Sequence, residues 1–434
     1  MSRDSRRVLL TAYHFPPLGG GGVLRVLKLA RYLSTTGWSP EVLCAEDPAY
    51  QPRDPAKLAE VDCPIFRVPA RRPPSLARLL GLRRGGSGKP SPIRRESNQT
   101  RTGLYQRLVA LGALPDLYRP WVRPARSAAA ALVNQRGYDL LWTTAPPFST
   151  LLVGSHLKRL FGLPWVVDLR DCWTPGPFFA PPTTAHRALH RRWESRILRA
   201  ADAVIVATPG MAELYRRAYP DLDRRLGVIT NGYDEADFAD LSIPPTTGEG
   251  RRRIGYAGSF YGPRRPDAFL QALAAVAERR VDAPRFVQIG SAGGEAEAAL
   301  AAFARSHPEL IERRGGLPHD RTLAELAACD LLLLVIGRQP GASSILTGKL
   351  FEYLRLGKPL LACCPPGDAA DLIETLGAGV VAPPDDASAV ARSLESLLDK
   401  PPPPVPRESI LPYERSRLAA QTARLFDEVV EERG

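Results

Sequence analysis

Residues 331–357 of this 434-residue chain read LLLLVIGRQPGASSILTGKLFEYLRLG, and the fold can be built outward from them. The continuous apolar run Leu331–Ile336 predicts a buried strand. A loop containing glycine and proline follows, and Thr347 stands where the N-cap of a helix ending at Gly357 is expected. The first backbone N–H groups of a helix are unpaired and its dipole favours negative charge, so this strand, loop and helix predict an anion site.

The helix start, Thr347-Gly348-Lys349, is followed on the same face by Glu352. A carboxylate beside a phosphate site suits a sugar hydroxyl, as the acidic residue of dinucleotide-binding folds does with ribose. An ordinary capped helix with an ion pair between Lys349 and Glu352 would give the same pattern. The stretch alone therefore leaves both interpretations open.

The composition of the whole chain is globular, with 44% hydrophobic and 24% charged residues. No apolar run approaches the roughly 18 residues that a membrane-spanning helix requires. The N-terminal sequence MSRDSRRVLLTAYHFPP contains basic residues and a short apolar stretch that stops at Pro16, which argues against a signal peptide. The six cysteines show no C-x-x-C spacing, so we expect reduced thiols in a cytoplasmic protein.

The net charge is +12, from 58 Lys and Arg against 46 Asp and Glu. Nucleic acid, an anionic membrane or an anionic substrate could each account for this excess. Ten basic residues lie between Arg71 and Arg107, where Glu96 is the one acid and leucines are interleaved. This composition is typical of a membrane surface and predicts a peripheral location on the inner face of the membrane, with a solvated insertion as the alternative.

Strand-like runs alternate with helical patterns in both halves of the chain, which is typical of parallel sheets with crossover helices. The polar stretch Asp234–Glu249 separates the halves and is interpreted as a linker. We therefore predict an α/β protein with two Rossmann-like parallel-sheet domains facing across a cleft, at residues 1–233 and 250–410. A final helix within residues 411–434 is expected to pack back on the first domain. The strands expected in the second half are Ile254–Ala257, Phe286–Ile289, Leu331–Ile336, Leu360–Cys364 and Gly379–Ala382.

Two loops of the first half are candidates for ligand binding. The glycines of His14–Gly22, HFPPLGGGG, permit close approach of a ligand before the helix at Val23, although their spacing does not match the dinucleotide fingerprint. Arg25 in the first helical turn could face the same ligand, with an ordinary surface arginine as the alternative. The segment PWVVDLRDCW places Asp168, Arg170 and Asp171 at the carboxyl end of a buried strand, where open parallel sheets bind ligands. A purely structural Asp–Arg pair would give the same pattern.

In the second half, the segment GYAGSFYGPRR again follows a strand, and Arg264 and Arg265 supply fixed positive charge. An arginine matches phosphate oxygens bidentately, so the pair is a candidate anion grip, with a solvated surface pair as the alternative. His319 lies in a loop after a strand and is interpreted as a surface residue.

In this order, HFPPLGGGGVLR, PWVVDLRD, ADAVIVATPGM, ITNGYDEADF, GYAGSFYGPRR and TGKLFEYLRLGKPLL resemble the retaining family-four glycosyltransferases. The resemblance extends from Val8 to about Val430. It implies the GT-B fold, with an acceptor-side N-terminal domain and a C-terminal domain that binds a nucleotide-diphosphate sugar. It also implies transfer of a hexosyl-type sugar to an acceptor hydroxyl, which we expect to be lipid-linked, in cell-surface polysaccharide or glycolipid biosynthesis.

The resemblance also assigns residues. It places the donor diphosphate against Gly20 and Gly21, and it places the family's basic pair on Ser259 and Arg265, with Arg264 compensating for the serine. The catalytic candidates are Arg265, Lys349, Asp168 and Arg170. The phosphate-binding helix start is Thr347, Gly348, Lys349 and Leu350, and the ribose-binding carboxylate is Glu352.

Two positions depart from the family pattern. Ser344 stands where the family often has a glutamate, and Arg170 stands where it often has a histidine. We expect a transfer in which the acceptor hydroxyl enters on the face from which the diphosphate leaves, stabilised by positive charge. We expect no metal and no cofactor, because the one Asp-x-Asp, Asp221-Leu-Asp223, follows a helix and does not end a strand.

Two other functions remain open from the sequence. A nucleotide-sugar epimerase on a related fold would need acid–base carboxylates, for which Asp168, Asp171 and Glu352 are the candidates. A non-catalytic protein that binds an anionic polymer or membrane would account for the net charge. The absence of an aromatic-rich basic pattern argues against nucleic acid as a partner.

Overall fold

The computed structural model describes residues 5–19, 21–47, 53–70, 114–176, 179–243 and 251–433. Gly20 and the basic segment Arg71–Arg107 lie outside these residues. The chain divides into two compact units. The first contains the described residues up to Thr230 together with residues 415–433, and the second is Asn231–Glu414.

The first unit is built on a seven-stranded parallel sheet in the order β3-β2-β1-β4-β5-β6-β7. Its strands are buried apolar runs, which is why sequence patterning locates them well. The strands are β1 (Arg6–Ala12), β2 (Trp38–Glu46), β3 (Ile65–Pro69), β4 (Leu140–Ala145), β5 (Trp165–Leu169), β6 (Ala203–Val206) and β7 (Leu226–Val228). The helices are α1 (Gly21–Leu33), α2 (Arg119–Arg136), α3 (Leu151–Phe161), α4 (Thr184–Ala200) and α5 (Pro209–Ala218).

Helices cover both faces of this sheet. Residues of α2 to α5 share one hydrophobic cluster with one face, and residues of α1 share another cluster with the opposite face. A last helix of the unit, α13 (Arg415–Glu431), packs against α1 in that second cluster. Phe426 makes edge-to-face contacts with Trp38 and Trp142, and Arg6 donates to Asp427 at 2.7 Å.

The second unit has a six-stranded parallel sheet in the order β10-β9-β8-β11-β12-β13. Its strands are β8 (Arg253–Ala257), β9 (Arg285–Ile289), β10 (Ile311–Gly315), β11 (Leu331–Val335), β12 (Leu360–Cys363) and β13 (Gly379–Ala382). Its helices are α6 (Asp267–Arg279), α7 (Gly294–Ser306), α8 (His319–Ala327), α9 (Gly348–Leu356), α10 (Asp368–Thr375), α11 (Ala387–Asp399) and α12 (Arg407–Ile410). Both sheets, with their flanking helices, confirm the two predicted Rossmann-like domains.

Two expectations need correction. Strand β10 was not among the expected strands, because its sequence IERRG has one buried residue and four polar or small ones. The predicted linker from Asp234 is in part a packed element of the second unit. There, residues 235–238 form a short 3₁₀ turn with Phe238 buried, and Glu235 binds Arg355 at 2.6 Å.

Two local predictions hold. The side chain of Asp386 accepts a hydrogen bond from the backbone N–H of Ala389 and caps α11. The six cysteines are free thiols. Within the described residues, no helix has the length and apolar character needed to cross a membrane.

Candidate functional site

The predicted anion site lies at the start of α9, after the fully buried strand β11. Thr347 occupies the N-cap position, with φ −76° and ψ 144°, but its side chain forms no capping hydrogen bond. Its Oγ1 atom is buried and has no hydrogen-bond partner among the described residues. The predicted N-cap position of Thr347 is therefore confirmed, although its side chain does not make the usual capping bond. Because a buried hydroxyl without a partner is unfavourable, a ligand that accepts from it would be stabilised.

Gly348 is the first residue of α9, and the space beside it is empty. A Cβ atom built on Gly348 would meet no heavy atom within 4 Å. Nothing in the protein itself therefore requires glycine here, whereas close approach of a phosphate to the first N–H groups would. Leu350, by contrast, is fully buried, and its N–H bonds to the Thr347 carbonyl at 3.1 Å. It contributes packing to the site and no free donor.

The amino group of Lys349 is directed at the end of β8. Its Nζ atom lies 2.5 Å from the Ala257 carbonyl oxygen and 4.2 Å from the centroid of the Tyr256 ring. Gly258 has φ +127°, and a Cβ there would stand 2.5 Å from Nζ, so glycine makes room for the lysine. Burial, and next the charge of Arg264, lower the pKa of Lys349 well below its ordinary value, while Glu352 opposes the shift. An incoming anion would favour the charged form of this amine.

The two arginines after β8 differ in their partners. Arg265 forms a bidentate pair with Asp267 at 2.8 and 2.9 Å and also contacts Glu295, and the hydrogen bonds with Asp267 raise its pKa. Its charge is thus already balanced, which weakens the expectation that it is the principal cation for a diphosphate. Arg264 lies over the Tyr261 ring at 5.2 Å and has no ion pair among the described residues. Ser259 shares a hydrogen bond with Ser291 at 2.9 Å.

Glu352 is held by His319, which is interpreted from the sequence as a surface residue. Nε2 of His319, the first residue of α8, donates to Oε1 of Glu352 at 2.9 Å, and its Nδ1 lies 3.9 Å from Asp237 Oδ2. An ion pair between Lys349 and Glu352, the alternative interpretation of this helix, is not formed in the described structure. The interpretation of His319 as a surface loop residue is also wrong. The signal available in the sequence was its place directly after a strand, a glycine pair and a proline.

In the first unit, Asp168 is fully buried on β5 and is paired with Arg25 of α1. Arg25 donates to its two carboxylate oxygens at 2.8 and 3.3 Å, Thr144 donates to it at 2.9 Å, and Arg25 also reaches the Thr230 carbonyl at 2.7 Å. The expectation that Arg25 faces a ligand is therefore wrong. Asp168 ties α1 to the sheet edge through a buried, fully bonded pair.

Arg170 binds the loop ends around that edge. Its guanidinium donates to the carbonyl oxygens of Gly22 and Pro146 and, at 3.4 Å, of Ala145. Gly21, the predicted diphosphate contact, begins α1 directly beside Gly22. Arg170 is thus a positioning residue for the glycine loop in this structure, and the side chain of Asp171 next to it is exposed.

The Asp-x-Asp pair has a structural role. Asp221 is bound by Arg199 at 2.6 Å, and Asp223 is bound by Arg216 at 2.7 Å. Both carboxylates lie in the short 3₁₀ turn at residues 220–225, before β7. They are occupied by surface ion pairs.

Comparison with known proteins gives two family matches. The model described as glycosyl transferase 4-like domain matches residues 20–232, and the model described as glycosyl transferases group 1 matches residues 251–400. No curated protein sequence matches the chain.

Solved structures resemble the whole chain. A glycosyltransferase from Rickettsia africae ESF-5 has a TM-score of 0.64 at 12% identity, covering 99% of this chain and 100% of its own. Sucrose-phosphate synthase from Thermosynechococcus elongatus has a TM-score of 0.59 at 16% identity, covering 99% and 97%. HepE of Anabaena, in complex with UDP and glucose, has a TM-score of 0.57 at 15% identity, covering 98% and 97%. At such identities the likeness shows the fold.

Proposed function

Because the chain belongs to the family-four glycosyltransferases with the GT-B fold, we propose that it transfers a sugar from a nucleotide-diphosphate donor to an acceptor hydroxyl. We further propose that the transfer retains the anomeric configuration. The donor is supported by the complex of the Anabaena protein with UDP and glucose.

The observation that carries the proposal is the start of α9. An unpartnered Thr347 hydroxyl, open space at Gly348, the amine of Lys349 and the carboxylate of Glu352 follow one another within one and a half turns. The hydroxyl, the helix N–H groups and the amine suit a diphosphate, and the carboxylate suits the ribose hydroxyls.

In the proposed reaction, the bond from the anomeric carbon to the diphosphate breaks while the acceptor oxygen enters on the same face, and the proton of the acceptor hydroxyl passes to the departing diphosphate oxygen. Charge develops on the departing diphosphate. This charge is stabilised by Lys349, the α9 N-terminus and Arg264. Arg265 remains paired with Asp267 and Glu295. Asp168 and Arg170 hold α1 and the glycine loop, including Gly21, in place. The chemistry needs no metal and no cofactor in this scheme.

The proposed biological role is synthesis of a cell-surface polysaccharide or glycolipid from the cytoplasmic side of the membrane. Two observations support it. A lipopolysaccharide outer core galactosyltransferase is among the similar structures, at a TM-score of 0.59 and 13% identity. The basic excess of the chain also suits a site near an anionic surface.

A thermal-shift screen of nucleotide sugars tests the donor assignment, because a ligand stabilises the state that binds it. We expect one nucleotide class to raise the melting temperature of the parent protein and to leave Glu352→Gln nearly unshifted. Product analysis with the selected donor then separates the transferase from the epimerase. Conversion of the donor without any acceptor would favour the epimerase, and the absence of a shift with every nucleotide sugar would reject the donor site.

A further inference from the structure

Three successive helices of the first unit form a surface rich in arginine and poor in acids, which we call the α2–α4 face. Neighbouring helices of this group contact one another. Exposed arginines project from all three helices: Arg119, Arg123, Arg159, Arg191, Arg192 and Arg196. The sequences of α2 and α3 contain no Asp or Glu. The one acid of α4, Glu194, is fully buried and accepts hydrogen bonds from Tyr215 and Tyr219.

These six arginines have no counterions in the described structure: none of them forms an ion pair with a described residue. Single exposed arginines without an ion pair occur elsewhere in the described residues, but many arginines of the protein are paired with carboxylates. On the same helix α4, Arg199 is paired with Asp221, and in the second unit Arg280 and Arg313 each bind a carboxylate. The α2–α4 face is therefore a concentration of charge that the fold itself leaves unbalanced.

Two of these charges, those of Arg119 and Arg159, lie close enough to Arg126 of α2 to repel it. Arg126 lies among them and donates to the Leu152 carbonyl at 2.9 and 3.1 Å. Burial, and next the charges of Arg159 and Arg119, lower its pKa. The pKa of His156 in α3 is also lowered, first by burial and then by the charges of Arg126 and Arg159. A polyanion placed on this face would relieve the repulsion.

Apolar groups mixed with the arginines distinguish lipid from other polyanions. Leu160, next to Arg159, is 56% exposed, and Leu117, shortly before Arg119, is 40% exposed. They are two of the four large hydrophobic residues exposed in the described chain. Trp193 lies beneath Arg119, with the guanidinium carbon 5.7 Å from its ring. Arginine with partly exposed apolar and indole groups suits the headgroup region, whereas a single-strand nucleic-acid site would present open aromatic platforms.

We propose that the α2–α4 face docks the first unit on a bilayer that contains anionic phospholipids. Guanidinium groups bind lipid phosphates bidentately, and the exposed leucines add shallow apolar contact. The basic segment Arg71–Arg107, which lies outside the described residues, directly precedes this face in sequence and has the same composition. The biological role of this docking rests on the proposed transfer to a lipid-linked acceptor. Vesicle binding, which tests the docking, is measured without enzymatic activity.

Co-sedimentation with vesicles tests the proposal. The full chain is mixed at low salt with phosphatidylcholine vesicles, with or without phosphatidylglycerol. The face variant carries Arg123→Gln, Arg159→Gln, Arg192→Gln and Arg196→Gln. A matched control removes the same charge from exposed arginines elsewhere that likewise have no ion pair: Arg305→Gln, Arg321→Gln, Arg392→Gln and Arg424→Gln.

We expect the parent and the matched control to sediment only with vesicles that contain phosphatidylglycerol. Each arginine near an anionic surface is worth roughly a fivefold change in partitioning, so the face variant should bind on the order of several hundredfold more weakly. Its melting temperature and its thermal shift with a nucleotide sugar should match the parent's, which separates this test from that of the donor site.

Three results would overturn the proposal: no binding by the parent, equal losses in both variants, or equal binding by all three proteins. A fourth contrary result is loss of single-stranded DNA binding in the face variant without loss of vesicle binding, which would assign the face to nucleic acid.

Discussion

Nε2 of His319 lies 2.9 Å from Oε1 of Glu352, so an imidazole at the start of α8 fixes the carboxylate that follows the first turn of α9. The two residues come from different crossover helices of the second unit. Because the carboxylate still has free lone pairs, it can accept from the donor ribose while the imidazole holds its orientation.

Both residues of this pair should contribute to donor binding, Glu352 more strongly than His319. We expect Glu352→Gln to raise the dissociation constant for the donor about tenfold or more, since a hydrogen bond to a charged group contributes about 1.5–3 kcal/mol. His319→Ala should cause a smaller loss, seen in KM with little change in kcat. His319→Gln, which keeps an N–H donor, should restore part of the affinity. Calorimetry that gives His319→Ala the parent's affinity would remove the histidine from the site.

Enlarging Gly348 should separate folding from donor binding. Because the space beside this residue is empty, Gly348→Val should change the melting temperature little, yet its side chain would occupy the volume that a diphosphate needs. We expect at least a tenfold loss of donor affinity, by the closeness of phosphate contacts at helix N-termini. Gly227→Ala in β7, where a Cβ also meets nothing, is the control and should bind normally. Donor binding by Gly348→Val at the parent's affinity would place the phosphates elsewhere.

Donor binding should be coupled to proton uptake at Lys349. Burial and then Arg264 lower the pKa of this amine in the free protein, and a bound diphosphate would raise it again. Affinity should therefore be highest below the lowered pKa and fall as the pH rises through it. Calorimetry in two buffers of different ionisation enthalpy measures the protons taken up. Lys349→Met should bind the donor more weakly and should lose the proton uptake that is present in the parent.

Breaking the Arg25–Asp168 pair should destabilise the first unit. Both side chains are almost fully buried, and removing one partner of such a pair typically costs about 3–5 kcal/mol. We expect Asp168→Asn to lower the free energy of unfolding by that order in urea denaturation. Arg199→Gln, which breaks an exposed pair with Asp221, should have a much smaller effect. Similar losses in both variants would contradict the role given to the buried pair.

Turnover should not depend on a divalent metal. Positive charge at the proposed donor site comes from Lys349, Arg264 and the α9 N-terminus, and the Asp-x-Asp carboxylates are bound to arginines. Activity measured after dialysis against a chelator should equal that of the untreated enzyme. Loss of activity that Mg²⁺ or Mn²⁺ restores would overturn this expectation.

The fold could be predicted because its strands are buried runs. Sequences such as WVVDL of β5 and LLLLV of β11 have no solvent-facing residues, so composition alone identifies them. Strand β10 was not predicted, because it lies at the edge of its sheet and has few apolar residues. Its two arginines and its glutamate make the segment look like a loop when strands are predicted from hydrophobicity.

The site could be predicted only in part. The start of α9 was found because backbone geometry follows from Gly348 and its neighbours. The partners of the charged side chains could not be predicted. Arg25 binds Asp168 across 143 positions of sequence, and His319 binds Glu352 across 33. Nothing in the local sequence shows that Arg265 also contacts Glu295 of α7, whereas Arg264 has no carboxylate partner among the described residues.

The assignment of α13 to the first unit determines the order in which the chain can fold. All of Asn231–Glu414 is translated before Phe426, so Trp38 and Trp142 do not have the Phe426 ring beside them until the second unit has been synthesised. The first unit, whose sheet is synthesised first, is therefore completed only after the second unit. Removing α13 would expose the apolar surface that it shares with α1 and the sheet of the first unit, which would make that unit prone to aggregation.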